Sequence, residues 1–287
     1  MLAPNVCRER QTERKSMEQV THDLTKFHSV DLSTNPSSFT QFMDTAHAQQ
    51  TAQSYKQIIM EYLAPSPGAA ILDAGCGTGQ DTLDLARSVG PSGSVVGIDN
   101  SETMLGVART RAAGLQLPVE YVQADITNLP FAEASFDGCQ VSRVLGHLRE
   151  PALALAEIVR VVRPGARVVA ADGDMDLIAI DIPERALARK VIHAACDQLT
   201  QGWIGRQMPR LFQQAGLHNI RVEGHLMPLD YTFFQTAFRG ILQRTQINGA
   251  ISEEELAAFW VALEKAEEGG YFFARVGGFV VRGQKPA

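Results

Sequence analysis

The stretch Ala70-Ile71-Leu72-Asp73-Ala74-Gly75-Cys76-Gly77-Thr78-Gly79-Gln80-Asp81 decides the fold. A short apolar run ends in an acid, glycines alternate through Gly79, and a helical pattern starts at once. Physically this is a buried parallel strand, a tight turn whose backbone approaches a ligand, and a helix N-terminus facing that ligand. A dinucleotide fingerprint requires G-x-G-x-x-G. Gly75 and Gly77 fit it, but Gln80 holds the third position and the extra glycine is Gly79. That departure argues against a pyrophosphate cofactor.

Outward from this stretch the pattern alternates. Strand 1 (about 69–74) leads into a helix at about 79–89 that Gly90-Pro91 closes. Strand 2 is Ser94 to Asp99, followed by Ser101 as N-cap and a helix with Met104, Leu105, Ala108 and Ala112 on one face. Strand 3 is Val119 to Asp125 and strand 4 is Ser135 to Ser142. Pro151 opens a helix at its favoured first position, Arg163-Pro164-Gly165 ends it, and strand 5 runs from Ala166 to about Ala171. Apolar strands alternating with such helices are the signature of a parallel sheet wound with helices. Further helices are expected at 183–201, 205–215, 232–248 and 252–267, the last with a capping box of Ser252 and Glu255. Strands are expected at 217–226 and 271–281. On the N-terminal side, one or two amphipathic helices fill 39–63 until Pro65-Ser66-Pro67-Gly68 stops them. The division is thus a disordered leader over 1–16, a helical cap over 17–67, and a main domain over 68–287. Helical insertions at about 183–201 and 232–267 form a lid on that domain.

With 287 residues, 45% of them hydrophobic and 20% charged, the chain suits one large globular unit. Its net charge is −6 and no strongly basic block exists beyond the Arg8–Lys15 segment, so no footprint for nucleic acid is evident. Cys7, Cys76, Cys139 and Cys196 show neither C-x-x-C nor zinc spacing and read as reduced thiols of a cytoplasmic protein. No run is long enough for a membrane span, and no signal-peptide core is visible.

Several spaced motifs then accumulate. Asp99 ends strand 2, where an acid can accept hydrogen bonds from ribose hydroxyls. Asp125-Ile126 ends strand 3, and Phe136-Asp137-Gly138 leads to Ser142-Arg143-Val144-Leu145 and His147. Together with the Gly75-x-Gly77-x-Gly79 turn preceded by Asp73, these residues resemble the class I S-adenosylmethionine (SAM)-dependent methyltransferases over roughly residues 69–172. The Ser142–Leu148 segment and the helix-rich tail resemble the ubiquinone/menaquinone-methyltransferase-like small-molecule branch. The resemblance implies an α/β, Rossmann-like sheet of strand order 3-2-1-4-5-7-6 with the last strand antiparallel. It implies SAM as cofactor, bound by Asp73, Gly75, Gly77, Thr78, Gly79, Asp99, Asn100, Met104, Asp125, Ile126 and Ser142. Asp73 serves near the cofactor, or caps amides of the glycine loop, or does both.

His147 follows strand 4 near the mouth of the site, and its ordinary pKa suits a general base. The bland alternative is a ring that packs on the cofactor or the next helix. Asp172, Asp174 and Asp176 recur just past strand 5, as substrate contacts, divalent-ion ligands or a solvated loop. No partner ligand spacing supports a metal, and Asp172 is taken as the one facing the pocket. Phe39, Phe42, Tyr55, Trp203, Met227, Tyr231, Phe233, Phe234 and Phe238 supply an apolar cover, though aromatics at helical spacing are by default core. Such a cover implies a hydrophobic or aromatic small-molecule acceptor, of quinone or secondary-metabolite type. The N-terminal helices serve as lid or as a homo-oligomer contact. Rival readings are a macromolecule methyltransferase, a SAM-binding protein without turnover, and a nicotinamide-dependent oxidoreductase, which Gln80 disfavours.

Overall fold

The computed structural model describes residues 24–48 and 50–287. The leader expected over 1–16 and the start of the cap lie outside the described residues. Seven strands form one sheet in the order β3-β2-β1-β4-β5-β7-β6. They are β1 (Ala70–Ala74), β2 (Ser94–Asp99), β3 (Val119–Gln123), β4 (Phe136–Ser142), β5 (Val162–Ile180), β6 (His218–Leu229) and β7 (Ala274–Gln284). The pairs β1–β2, β2–β3, β1–β4 and β4–β5 are parallel, whereas β7 runs antiparallel to β5 and to β6. The order reverses between β1 and β4, which is where such sheets open a crevice at their carboxyl ends.

Helices cover both faces. Successive residues of a strand point to opposite sides, so Ile71 and Leu72 enter different cores. Leu72, Ala74 and Val141 pack with Leu155 and Ile158 of α5 (Pro151–Val161) and Phe212 of α7 (Ile204–Gln214). Ile71 packs with Tyr55 and Ile59 of α2 (Gln50–Leu63) and Leu85 and Val89 of α3 (Gln80–Val89). The α4 helix (Glu102–Ala112) is capped by Ser101, whose hydroxyl accepts from the Met104 amide.

A separate apolar cluster joins α1 (Pro36–Ala48), α6 (Arg185–Cys196), α8 (Tyr231–Ile247) and α9 (Glu253–Glu268), through Phe42, Val191, Phe234, Phe238, Phe259 and Leu263. The Ser252–Glu255 capping box is formed at the start of α9.

The fifth strand differs from expectation. It does not stop near Ala171 but continues through Asp172, Asp174 and Asp176 to Ile180, paired with β7 across a bulge between Asp174 and Ile178. Those aspartates are therefore strand residues and not a solvated loop. Asp174 and Asp176 pair with Arg206, and Asp176 also lies 3.4 Å from His193.

Candidate functional site

The glycine turn is shaped by what it must pass. Gly75 has φ +78, and a methyl group there would come within 2.3 Å of Val144 Cγ2, so only glycine keeps both the conformation and the space. Gly75 and Gly77 line a cleft of about 780 Å³, counting its open mouth. Gly79 turns away from it: a methyl there would meet Tyr121 Oη at 2.6 Å and Ala108 Cβ at 2.7 Å. Thr78 is buried, and its carbonyl accepts from Arg111 Nη1 at 3.1 Å. Among the cleft-lining residues neither Gly79 nor Thr78 appears, and both fix the turn from behind.

Asp73 also stands behind the cleft. It is 2% exposed, and its two oxygens accept from Thr82 Oγ1 at 2.6 Å and from Gln140 Nε2 at 2.9 Å. Gln140 reaches it because the two residues are register partners on β1 and β4. Burial pushes the Asp73 carboxyl up to about 7 against those hydrogen bonds. Its carboxylate caps no loop amide, so the expected role as an amide cap is corrected to a tie between sheet and helix.

The remaining expected residues surround the cleft: Asp99, Asn100, Met104, Asp125, Ile126 and Ser142 all line it. Asp99 accepts from the Gly77 amide at 2.9 Å and the Ser101 amide at 3.0 Å. A carboxylate has about four acceptor sites, so acceptor capacity remains for a ligand. Burial raises its pKa, opposed by those amides. Asp125 Oδ1 is held by the Thr127 amide and hydroxyl, at 2.8 and 2.7 Å. Met104 and Ile126 supply apolar walls, and both are buried.

A second, larger cavity of about 1380 Å³, again with its mouth, lies next to the cleft. Phe27, Met43, Arg143 and His147 line both cavities and form their common wall. His147 ends a 3₁₀ turn, Leu145–His147, and its ring lies 5.3 Å from that of Phe27. The turn is fixed by Asp172, which accepts from the Gly146 amide at 3.0 Å and the Gly173 amide at 3.1 Å. Burial raises the Asp172 pKa to about 6. Asp172 thus lines the second cavity and holds the peptide next to His147.

Of the aromatic cover, Phe42, Tyr55, Met227, Phe233 and Phe238 line this cavity. Phe234 is fully buried core, Phe39 packs with Val30 and Met104, and Trp203 is 48% exposed under the Arg206 guanidinium. Sequence reasoning missed Arg143 and His225 as site residues. Arg143 has φ +58, a left-handed conformation rare outside glycine and concentrated at functional sites. His225 lies opposite Gly278 in the β6–β7 register, where a methyl would come within 2.7 Å of its Nε2, and it stacks on Tyr55 at 5.1 Å. Neither feature has a local sequence signal; only the glycine pair Gly277-Gly278 in a strand hinted at a close approach.

Among the described residues no group of three metal-ligating side chains is found, and no helix is long and apolar enough to cross a membrane.

Residues 72–170 match the model of a methyltransferase domain family. The chain is 37% identical over 204 residues to an uncharacterized 37.1 kDa protein in transposon TN4556 of Streptomyces fradiae, covering 71% of this chain and 59% of that protein. The match thus spans less than two thirds of that relative's length. It is 31% identical over 183 residues to a demethylmenaquinone methyltransferase of Staphylococcus aureus (strain JH9), covering 58% of this chain and 76% of that enzyme. Among solved structures, Haemonchus contortus phosphoethanolamine N-methyltransferase 2 in complex with S-adenosyl-L-methionine superposes with a TM-score of 0.53. The identity there is 19%, over 82% of this chain and 53% of that one, a likeness of fold.

Proposed function

The chain belongs to the class I SAM-dependent methyltransferases, and from that premise we propose that it methylates a hydrophobic or aromatic small molecule of quinone or secondary-metabolite type. The observation that carries this reading is the shared wall. A cleft that carries Asp99, Asn100 and Asp125 among apolar residues adjoins, at Phe27, Met43, Arg143 and His147, a larger, mainly apolar chamber.

The cleft fits the cofactor by its own chemistry. Asp99 keeps free acceptor sites beside Gly77, Gly75 allows backbone to approach, and Ser142 carries a buried hydroxyl with no hydrogen-bond partner among the described residues. Asp99 would hold the ribose, Asp125, Ile126 and Met104 the base, and Gly75, Gly77 and Ser142 the amino-acid part. When bound, SAM supplies a methyl group activated by a sulfonium.

The chain's contribution is alignment, dryness and proton management. Phe42, Met227, Phe233 and Phe238 exclude water and orient the acceptor. His147, on the boundary, takes the proton that an acceptor hydroxyl or ammonium loses. Asp172 positions that ring by holding the Gly146 amide. The apolar faces of α1 and α2 are occupied by this chamber and the sheet, which supports the lid reading of the N-terminal helices over an oligomer contact. Buried unpaired thiols at Cys76, Cys139 and Cys196 suit a reducing cytoplasm.

The test is release of S-adenosylhomocysteine (SAH) from SAM with a panel of phenols, hydroxyquinones and aromatic amines, set against bulk protein and RNA. Turnover on small aromatics is expected. Methyl incorporation into macromolecules alone, or SAM binding without turnover on any class, would overturn the reading.

A further inference from the structure

Around the chamber and the cleft it adjoins lie polar atoms that the apolar lining does not explain. Arg143 Nε, the Tyr55 hydroxyl, the Ser142 hydroxyl and His225 Nδ1 are buried, and none has a hydrogen-bond partner among the described residues. The Tyr55 and Ser142 hydroxyls approach each other but miss hydrogen-bond geometry. One further atom of this kind, Arg282 Nε, lies elsewhere, beside Tyr62. Buried polar groups are nearly always satisfied, so a convergence at one place points to a missing ligand.

The nature of that ligand follows from the donors. Arg143 makes no ion pair and no side-chain hydrogen bond among the described residues. A guanidinium so enclosed is costly unless a counter-charge meets it. Asp172 and Asp81 act on it electrostatically from nearby, but neither bonds to it: Asp172 accepts from the Gly146 and Gly173 amides, and Asp81 pairs with Lys56, so no carboxylate among the described residues sits in the guanidinium fork. The backbone keeps Arg143 in a left-handed conformation, tied by its amide to the Ala171 carbonyl at 2.7 Å, and the residue lines both cavities. Five N–H donors in a planar fork match the two oxygens of a carboxylate. Tyr55 and His225 line the chamber and are absent from the cofactor cleft's lining, so the cluster lies mostly on the acceptor side.

We propose that Arg143, Tyr55 and His225 form a carboxylate receptor, and that the acceptor is an apolar acid. Its ring or chain lies against Phe42, Met227, Phe233 and Phe238, and its carboxylate sits on Arg143. The proposal deepens the acceptor-site reading above and rests on it. The methionine carboxylate of the cofactor is the other source of the same chemistry.

The experiment titrates 2-naphthoate and its neutral isostere 2-naphthamide into the full chain, with and without saturating SAH, and measures SAH binding separately. Naphthoate should bind at least tenfold more tightly than naphthamide. Arg143→Gln should abolish that preference while SAH affinity stays within threefold. Equal binding of the two probes overturns the proposal. So does a variant that keeps the preference but binds SAH tenfold more weakly, because the carboxylate is then the cofactor's. Should Arg143→Gln fail to fold, Tyr55→Phe decides: the preference falls at least threefold, or an unchanged preference sinks the idea. If the wild type binds no SAH, the methyltransferase reading fails on its own, while the two probes without SAH still test the receptor.

Discussion

The cleft at Gly75 and the chamber beyond His147 share a wall but are built differently. The cleft is formed mostly at the carboxyl ends of β1, β2, β3 and β4, with most of its lining between Gly75 and Leu148. The chamber is formed of long side chains drawn from Phe27 to Gly277, out of helices and the antiparallel strands β6 and β7. A site made from strand ends is fixed by the sheet register and tolerates little change. A site made from helices packed over a sheet is reshaped by substituting any one of many side chains. One scaffold can therefore hold its cofactor constant while its acceptor varies.

The comparison is broken most severely at the residue common to both cavities. If His147 moves the acceptor's proton, His147→Ala should lower kcat by about 10²–10⁴-fold with little change in SAM affinity. Steady-state kinetics with an acceptor found in the panel, paired with SAH titration, measures this. An unchanged kcat makes His147 part of the wall only.

The next effect lies behind the cleft. Asp73 has a folded pKa of about 7 against an ordinary 3.8, raised chiefly by burial. The folded state therefore binds this proton more tightly than the unfolded one. The stability this gives is full below about pH 4 and is lost as pH rises to about 7. Asp73→Asn carries no such charge, so its stability relative to wild type should improve across that window, by on the order of 4 kcal/mol at most. Urea unfolding at pH 5 and pH 7.5 checks it, and parallel profiles would refute it. SAH affinity should stay within about threefold, since Asp73 does not line the cleft.

Asp99 gives a smaller effect, on the cleft alone. Asp99→Asn keeps the shape but weakens charge-assisted hydrogen bonds to the ribose, worth about 1.5–3 kcal/mol each at most. SAH affinity should fall at least about tenfold, and binding of a chamber probe such as 2-naphthamide should not change. Equal losses for both would mean that the cavities are not separable.

The same contrast explains what the sequence made legible. Asp99 ends β2 and Asp125 follows β3 by two residues, where local pattern fixes both position and exposure, so their place at the cleft could be read directly. Asp73, Thr78 and Gly79 belong to the same motif yet face helix and sheet, because a motif marks a segment and not which way each side chain points. Arg143, Tyr55 and His225 meet only through long-range packing, and nothing local marks a residue of type Arg for a left-handed turn. Asp172, Asp174 and Asp176 carried a usable signal that was misread. Their period of two is the strand period, and they continue β5 against β7.

The smallest effect concerns how the N-terminal segment is held on the cleft. Asp31 accepts from Ser101 Oγ at 2.6 Å and from the amides of Glu102 and Thr103 at 2.8 and 3.3 Å. It is a carboxylate at the N-terminus of α4, where the helix dipole favours negative charge. Burial would raise its pKa, but the hydrogen bonds from Ser101, Thr103 and Glu102 outweigh it and lower the value. Its contribution is thus present above the ordinary carboxylate range and is lost as pH falls through the lowered pKa. Asp31 is exposed, so the magnitude is that of a cap, about 1 kcal/mol. Asp31→Ala should lower the unfolding free energy by that amount at pH 7. Because Phe27 and Val30, which line the cleft, precede Asp31 by only a few residues, SAH should also dissociate a few-fold faster. Stopped-flow release of SAH measures the second effect. A normal release rate with reduced stability would mean that Asp31 caps α4 without holding the segment over the cofactor.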